Sequence, residues 1–170
     1  MVYKEYVIAV DSSTDIYTGN VSSFTCLLPT KYKTIEAVQL IDITLPGISN
    51  VYYEYLSIEG FNQISSPSGG MNFAFAKILL DGKASNVYVA DHFTYDYDYI
   101  HLGNPIAGLD RLRVSFVDST GEIVPQPGPC NFQLLMLKRE DESLYGGSAD
   151  DKNYQTTQRR RRDQSRGRRK

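Results

Sequence analysis

Residues 21–47 read VSSFTCLLPTKYKTIEAVQLIDITLPG, and this stretch decides the fold. From Val21 to Leu28 large and small side chains alternate. Phe24, Cys26 and Leu28 fall on one side of a period-2 strand, and Ser23, Thr25 and Leu27 on the other. A turn is expected over Pro29–Lys33. Thr34 to Leu45 then forms a second strand with Ile35, Ala37, Ile41, Ile43 and Leu45 on one side, interrupted only by Gln39. Val38 and Leu40 make the opposite side partly apolar too. A strand apolar on both sides belongs inside a sandwich or in a sheet covered by neighbours. Pro46-Gly47 closes the stretch.

Outward from it the chain repeats the theme. Tyr3 to Val10 is a strand with Tyr6, Ile8 and Val10 on one face, stopped by the turn-forming cluster Asp11 to Asp15. Val51 to Ile58 is a strand dense in tyrosine, and Asn62 to Asn72 is a polar, exposed loop. Phe73 to Leu80 forms one strand, ended by Asp81-Gly82. Val87 to Tyr95 forms another, running on towards Leu102, with interruptions at Asn104-Pro105 and Ala107-Gly108. Leu109 to Val117 alternates most cleanly, with Leu112, Val114 and Phe116 inward and Arg111, Arg113 and Ser115 outward. Pro125, Pro127 and Pro129 keep the next loop out of any ladder. Asn131 to Lys138 is the last strand. Eight strands without a helical period predict an all-β protein: an eight-stranded antiparallel β-sandwich of jelly-roll type. A Greek-key sandwich of another strand order fits the same period.

The chain has 170 residues, enough for one domain and its core. Tyrosine (13) outnumbers methionine (3), and tryptophan is absent, a bias that favours pleated sheet over helix. The net charge of -2 conceals an asymmetry. From Gln158 to Lys170 eight basic residues face one acid, Asp163, a net +7, so residues 1–157 carry -9. The expected organisation is a sandwich domain over residues 1–139 and a polar, Arg-rich extension over residues 140–170, ordered only by a partner. No apolar run approaches the roughly 20 residues of a membrane-spanning helix, so membrane contact is not expected. Met1-Val-Tyr-Lys-Glu lacks the apolar core of a secretory signal, which points to a reducing compartment. Cys26 and Cys130 therefore read as small buried hydrophobes rather than a disulfide.

Asp91, His92, Asp96, Asp98 and His101 are the one dense group of ligand-type residues. Their spacing matches no zinc or calcium motif, and alternate strand residues point to opposite faces, so they read as an acidic strand edge. There is no Gly-x-Ser-x-Gly elbow and no phosphate-cradling Gly-rich loop. The expectation is no enzyme, no catalytic residue, no metal, no cofactor and no small-molecule substrate. The sharp signal is the tail: Arg159, Arg160, Arg161, Arg162, Arg166, Arg168, Arg169 and Lys170. Such a run contacts nucleic-acid phosphates without sequence preference, acts as a nuclear-localisation signal, or docks on an acidic protein surface, including a neighbouring copy. It carries no aromatic residue for base stacking.

The residues 10–15, VDSSTD, followed by 21–47 and a tyrosine-rich strand, and then by 104–124, NPIAGLDRLRVSFVDSTGEIV, and 131–138, NFQLLMLK, form a loose pattern over residues 3–138. It resembles the small single jelly-roll virion proteins of large double-stranded DNA viruses of eukaryotes and their virophage and polinton-like relatives. The resemblance implies a penton or minor capsid protein in the virion, assembled in host cytoplasm or nucleus. Its implied partners are the major capsid protein and further copies of itself, as pentamer or trimer, with viral DNA as a partner for the basic tail. Two other readings stand beside it: a nucleic-acid-binding module acting through its tail, and a receptor- or carbohydrate-binding sandwich.

Overall fold

The computed structural model describes residues 2–84, 87–91 and 99–140, and among these it contains strands and no helix. In chain order the strands are β1 (Val2–Asp11), β2 (Thr18–Asn20), β3 (Ser23–Tyr32), β4 (Ile35–Pro46), β5 (Tyr53–Ile58), β6 (Ile64–Ser66), β7 (Gly70–Ala74), β8 (Ala76–Leu79), β9 (Val87–Asp91), β10 (Ile100–Ile106), β11 (Leu109–Val117) and β12 (Asn131–Glu140). One sheet has the order β1-β12-β4, with β9 and β10 both paired to the far edge of β4. The other runs β2-β3-β11-β5-β8, and β6 and β7 form a separate hairpin. Taking β9 and β10 as one position, and leaving out β2 and the hairpin, the principal strands lie in the orders first-eighth-third-sixth and second-seventh-fourth-fifth. That is the order of a jelly roll, which the period alone left open.

Residues 21–47 form the corner between the sheets. β3 lies in one sheet and β4 in the other, joined over Lys33-Thr34, with Thr34 in the left-handed region at φ 58°. The turn is shorter than expected because β3 continues through Pro29. The β3–β11 ladder shifts register between Leu109 and Arg111, opposite that segment, so the missing proline N–H falls at an irregularity.

The face assignment along β4 needs correcting. Against β12, Gln133 lies opposite Asp42 but Leu134 opposite Leu40, leaving Ile41 as an extra residue. Leu137 lies opposite Ala37 but Lys138 opposite Ile35, leaving Glu36 as another. Each bulge reverses the parity of the residues beyond it. The core side of β4 is therefore Ile35, then Val38 and Leu40, then Ile43 and Leu45. Ala37 and Ile41 are buried but stand outside that cluster. The bulges also explain why Gln39 only seemed to interrupt an apolar face. β12 keeps its phase, so Phe132, Leu134 and Met136, all fully buried, oppose Ile43, Leu40 and Val38 in turn.

From the other sheet the core receives Phe24 and Cys26 of β3, Leu112, Val114 and Phe116 of β11, and Leu56 and Ile58 of β5. Cross-strand pairs Leu112–Cys26, Val114–Phe24 and Phe116–Leu56 fix their register. Each large side chain buried this way contributes roughly 1.5–3 kcal/mol. The inward and outward assignments along β11 agree with the alternation in the sequence.

The second half departs from expectation in three places. Phe73 to Leu80 is two strands, because Phe75 leaves the ladder. Its N–H donates to the carbonyl of Leu56 (2.8 Å) and its ring packs 6.0 Å from that of Phe61. The loop 62–72 contains β6 and the start of β7, whose connection needs Gly70 at φ 81° and Asn72 at φ 54°. β10 crosses Asn104-Pro105, and its register against β4 shifts between His101 and Ile106 to accommodate the proline. Residues 92–98 of the expected Val87–Leu102 strand lie outside the described residues.

Cys26 and Cys130 are buried and unbonded, and burial pushes the Cys130 thiol up to about 11. Neither should react with an aromatic disulfide reagent at pH 8 in the native protein, and both should react in denaturant. Leu134→Ala, which empties a fully buried site, should lower stability in a urea titration by about 2–5 kcal/mol. Leu27→Ala, on the exposed face of β3, should change it by less than about 0.5 kcal/mol.

Candidate functional site

Arg159, Arg160, Arg161, Arg162, Arg166, Arg168, Arg169 and Lys170 lie outside the described residues, as do His92, Asp96 and Asp98. Of the acidic edge, Asp91 ends β9 opposite Asp42, and His101 is exposed on β10 opposite Ala37. Among the described residues no three His, Cys, Asp or Glu side chains come together in a way that could hold a metal ion.

What the described surface does present is aromatic. On the outer face of β5 the rings of Tyr53 and Tyr55 meet edge to face at 5.9 Å, and Tyr55 meets Phe73 at 5.0 Å. Lys77 of β8 stands over this platform, its Nζ 4.6 Å from the Tyr53 ring centre and 6.0 Å from that of Tyr55. Such ammonium–ring contacts contribute roughly 0.5–1 kcal/mol at an exposed site. Tyr53 pairs directly with Leu79 across β5–β8, and the two are 41% and 60% exposed. Single exposed apolar residues are ordinary, but a cross-strand pair flanked by further rings forms a contiguous patch. Tyr52 is exposed as well. Its ring lies against Gly82, where a Cβ would approach to 2.8 Å and where φ is 74°, so only glycine fits.

Further along, that sheet also carries charged pairs. Arg111 pairs with Asp110 (2.9 Å) and Arg113 with Glu59 (2.8 Å), all well exposed. Exposed pairs of this kind contribute at most about 1 kcal/mol and act chiefly on orientation and solubility. Beyond Glu59 lies an open cleft of about 520 Å³ lined by Asn62, Gln63, Asn72, Leu102 and Asn104. Asn62 is committed structurally: it accepts from the N–H of Ile58 (2.9 Å) and donates to Ser57 Oγ (2.9 Å). On the other sheet, Tyr3 and Val7 of β1 are exposed, and the Tyr99 hydroxyl donates to Glu5 (3.0 Å). Burial, with the Glu5 carboxylate beside it, raises the pKa of that hydroxyl.

The loops at β1 and β11 are held by aspartates. Asp11 accepts from the N–H and hydroxyl of Ser13, and Asp118 from the N–H and hydroxyl of Thr120. These bonds hold both carboxyls below the usual range. Between these turns lies something the sequence pattern did not reveal: Ser12, Glu54 and Gln126, the buried polar side chains among the described residues. The signal was present, since Glu54 shares the parity of Leu56 and Ile58 on a strand whose alternate face is tyrosine.

No model of a known protein family matches the chain. It is 34% identical over 129 residues to penton capsid protein P1 of Paramecium bursaria Chlorella virus 1, an alignment covering 72% of this chain and 76% of the relative. The jelly-roll strand order and this identity converge on one conclusion: the chain belongs to the family of that viral penton capsid protein.

Proposed function

We propose that this chain is a structural virion protein that assembles by burying the outer surface of its sandwich against neighbouring subunits. The observation that carries this reading is the kinship with a penton capsid protein over three quarters of that relative's length. A stoichiometric shell component acts by contact area rather than turnover, and the patch of Tyr53, Tyr55, Phe73 and Leu79 supplies large, rigid side chains of the kind that dominate such contacts. Its partners are further copies of itself, as pentamer or trimer, and the major capsid protein. The eight basic residues from Arg159 to Lys170 form an arm that contacts carboxylates of neighbouring subunits or the phosphates of packaged DNA. The opposed charges of the arm and of residues 1–157 favour the first contact, and the arginine density favours the second.

Light scattering on the full chain should give one defined oligomer without nucleic acid, and the same oligomer for a truncation ending at Glu142. A monomer under all salt conditions would sink the assembly reading and leave a nucleic-acid module. The full chain, but not the truncation, should retain double-stranded DNA on a gel at low salt. That affinity should fall steeply between about 50 and 200 mM salt, since each phosphate contact releases a counterion. Tyr53→Glu combined with Leu79→Lys should shift the oligomer to monomer while leaving the circular-dichroism spectrum unchanged. Unaltered assembly would place the contact elsewhere.

A further inference from the structure

The three buried polar residues gather where the proline loop, residues 118–130, closes one end of the sandwich. The first half of the loop is tied down by the Val124 N–H bond to the Phe116 carbonyl (2.9 Å) and by the Ser68 hydroxyl on the Ser119 carbonyl (3.0 Å), and its second half is held at two points. At its end, Ser12 and Cys130 exchange bonds: the Ser12 N–H donates to the Cys130 carbonyl and the Cys130 N–H to Ser12 Oγ, both 2.8 Å. In its middle, the Gln126 N–H donates to Ser22 Oγ (2.8 Å), and Gln126 Nε2 donates to Glu54 Oε2 (2.7 Å) in a site closed to solvent. Pro125 and Pro127 flank Gln126 and are exposed, so this one side chain is the loop's plug into the core.

Two buried atoms there have no partner: Glu54 Oε1 and Gln126 Oε1. Both are acceptors on the two groups already joined by one bond. A single proton on Glu54 Oε1 would supply the donor this pair lacks, and Gln126 Oε1 is the unpartnered acceptor on the group already bonded to that carboxyl. Without that proton a carboxylate sits in the apolar core with one donor, at a considerable desolvation penalty. The surroundings offer no compensating charge among the described residues. Ile78 of β8 lies directly opposite Glu54, and Leu56 is the next inward residue on its own strand. From the end of the loop, just before β12, comes the Cys130 thiol, which feels the Glu54 charge, and from the end of β1 and the residue after it come the Asp11 carboxylate, which also acts on that thiol, and the Ser12 hydroxyl. The loop contributes the neutral Gln126.

We propose that Glu54 and Gln126 form a proton-operated latch: the neutral acid–amide pair holds the proline loop on the sandwich, and ionisation of Glu54 loosens it. Burial, the larger effect, raises the Glu54 pKa to about 7, against an opposing effect from the Gln126 bond. A loop-open state exposes Glu54 and returns it to the ordinary value near 4.5. The closed state therefore binds the proton more tightly. Its advantage is complete below the open-state pKa and is lost as the pH rises through the closed-state one. From these two values the closed-to-open ratio should fall roughly tenfold between pH 6 and pH 8.

The test is a carbon-detected NMR titration of the glutamate carboxyls in the full chain, with amide hydrogen exchange measured at pH 6 and pH 8. Glu54 should titrate with a midpoint near 7. The protection of the Gln126 and Cys130 amides, corrected for intrinsic base catalysis, should drop about tenfold over the same range. In E54Q, where an amide keeps the shape but cannot ionise, that protection should be independent of pH. In Q126L the loop amides should be poorly protected at both pH values. A Glu54 midpoint near 4.5, or unchanged pH dependence in E54Q, would overturn the latch. The carboxyl titration of the unmodified chain decides alone if E54Q does not fold.

Discussion

The fold depends on the contact between β4 and β12. β12 runs through Phe132, Leu134 and Met136 without a break in phase, and β4 meets it only by inserting Glu36 and Ile41 as extra residues. These insertions let a twelve-residue strand keep five core side chains aimed at one sheet while also serving β9 and β10 on its other edge. Bulges sharpen the local twist. β4 needs that twist, because it spans the whole sheet and carries a different half-length partner at each end. Removing Ile41 would turn Ile43 and Leu45 away from the core side shared by Val38 and Leu40, and removing Glu36 would turn Ile35 away from it.

Much of this architecture was legible in the residues. The alternation along Leu109–Val117 predicted both the bounds of β11 and its faces, because neither neighbour forces a bulge between Arg111 and Val117. Tyr6, Ile8 and Val10 were likewise assigned to the correct face. Where the sequence pattern misled, tertiary pairing overrode it. Nothing in IEAVQLIDITL announces that Glu36 and Ile41 are surplus, since a bulge is a property of two strands and not of one. Phe75 similarly leaves its strand to satisfy Leu56 and meet Phe61, partners that a linear pattern does not show.

The surface was harder to read than the core, for a physical reason. A basic run stands out in a sequence because it needs no fold to be basic, and the tail is conspicuous on that ground alone. The Tyr53–Leu79 pair and the Tyr52–Gly82 contact exist only once β5 and β8 are in register. Glu54 was hidden for the opposite reason. A glutamate between two tyrosines reads as solvent-facing until the period is applied strictly, and only the proline loop, arriving from 72 residues away, gives it a partner.

The sheet edges carry a consequence for how such subunits add to one another. A free edge is a row of unpaired amides and carbonyls that can recruit a foreign strand and, repeated, grow a filament. β2 has three residues and β8 four, and the edge along β4 is divided between β9 and β10 in separate registers. Each is too short or too broken to template a long ladder. β1, ten residues long and paired on one side to β12, and β3 beyond Thr25, where its pairing with β2 ends, present the longer edges among the described residues. Runaway strand-by-strand growth is thereby discouraged along β8 and along the outer edge of β4, which leaves side-chain faces to set the geometry of closure.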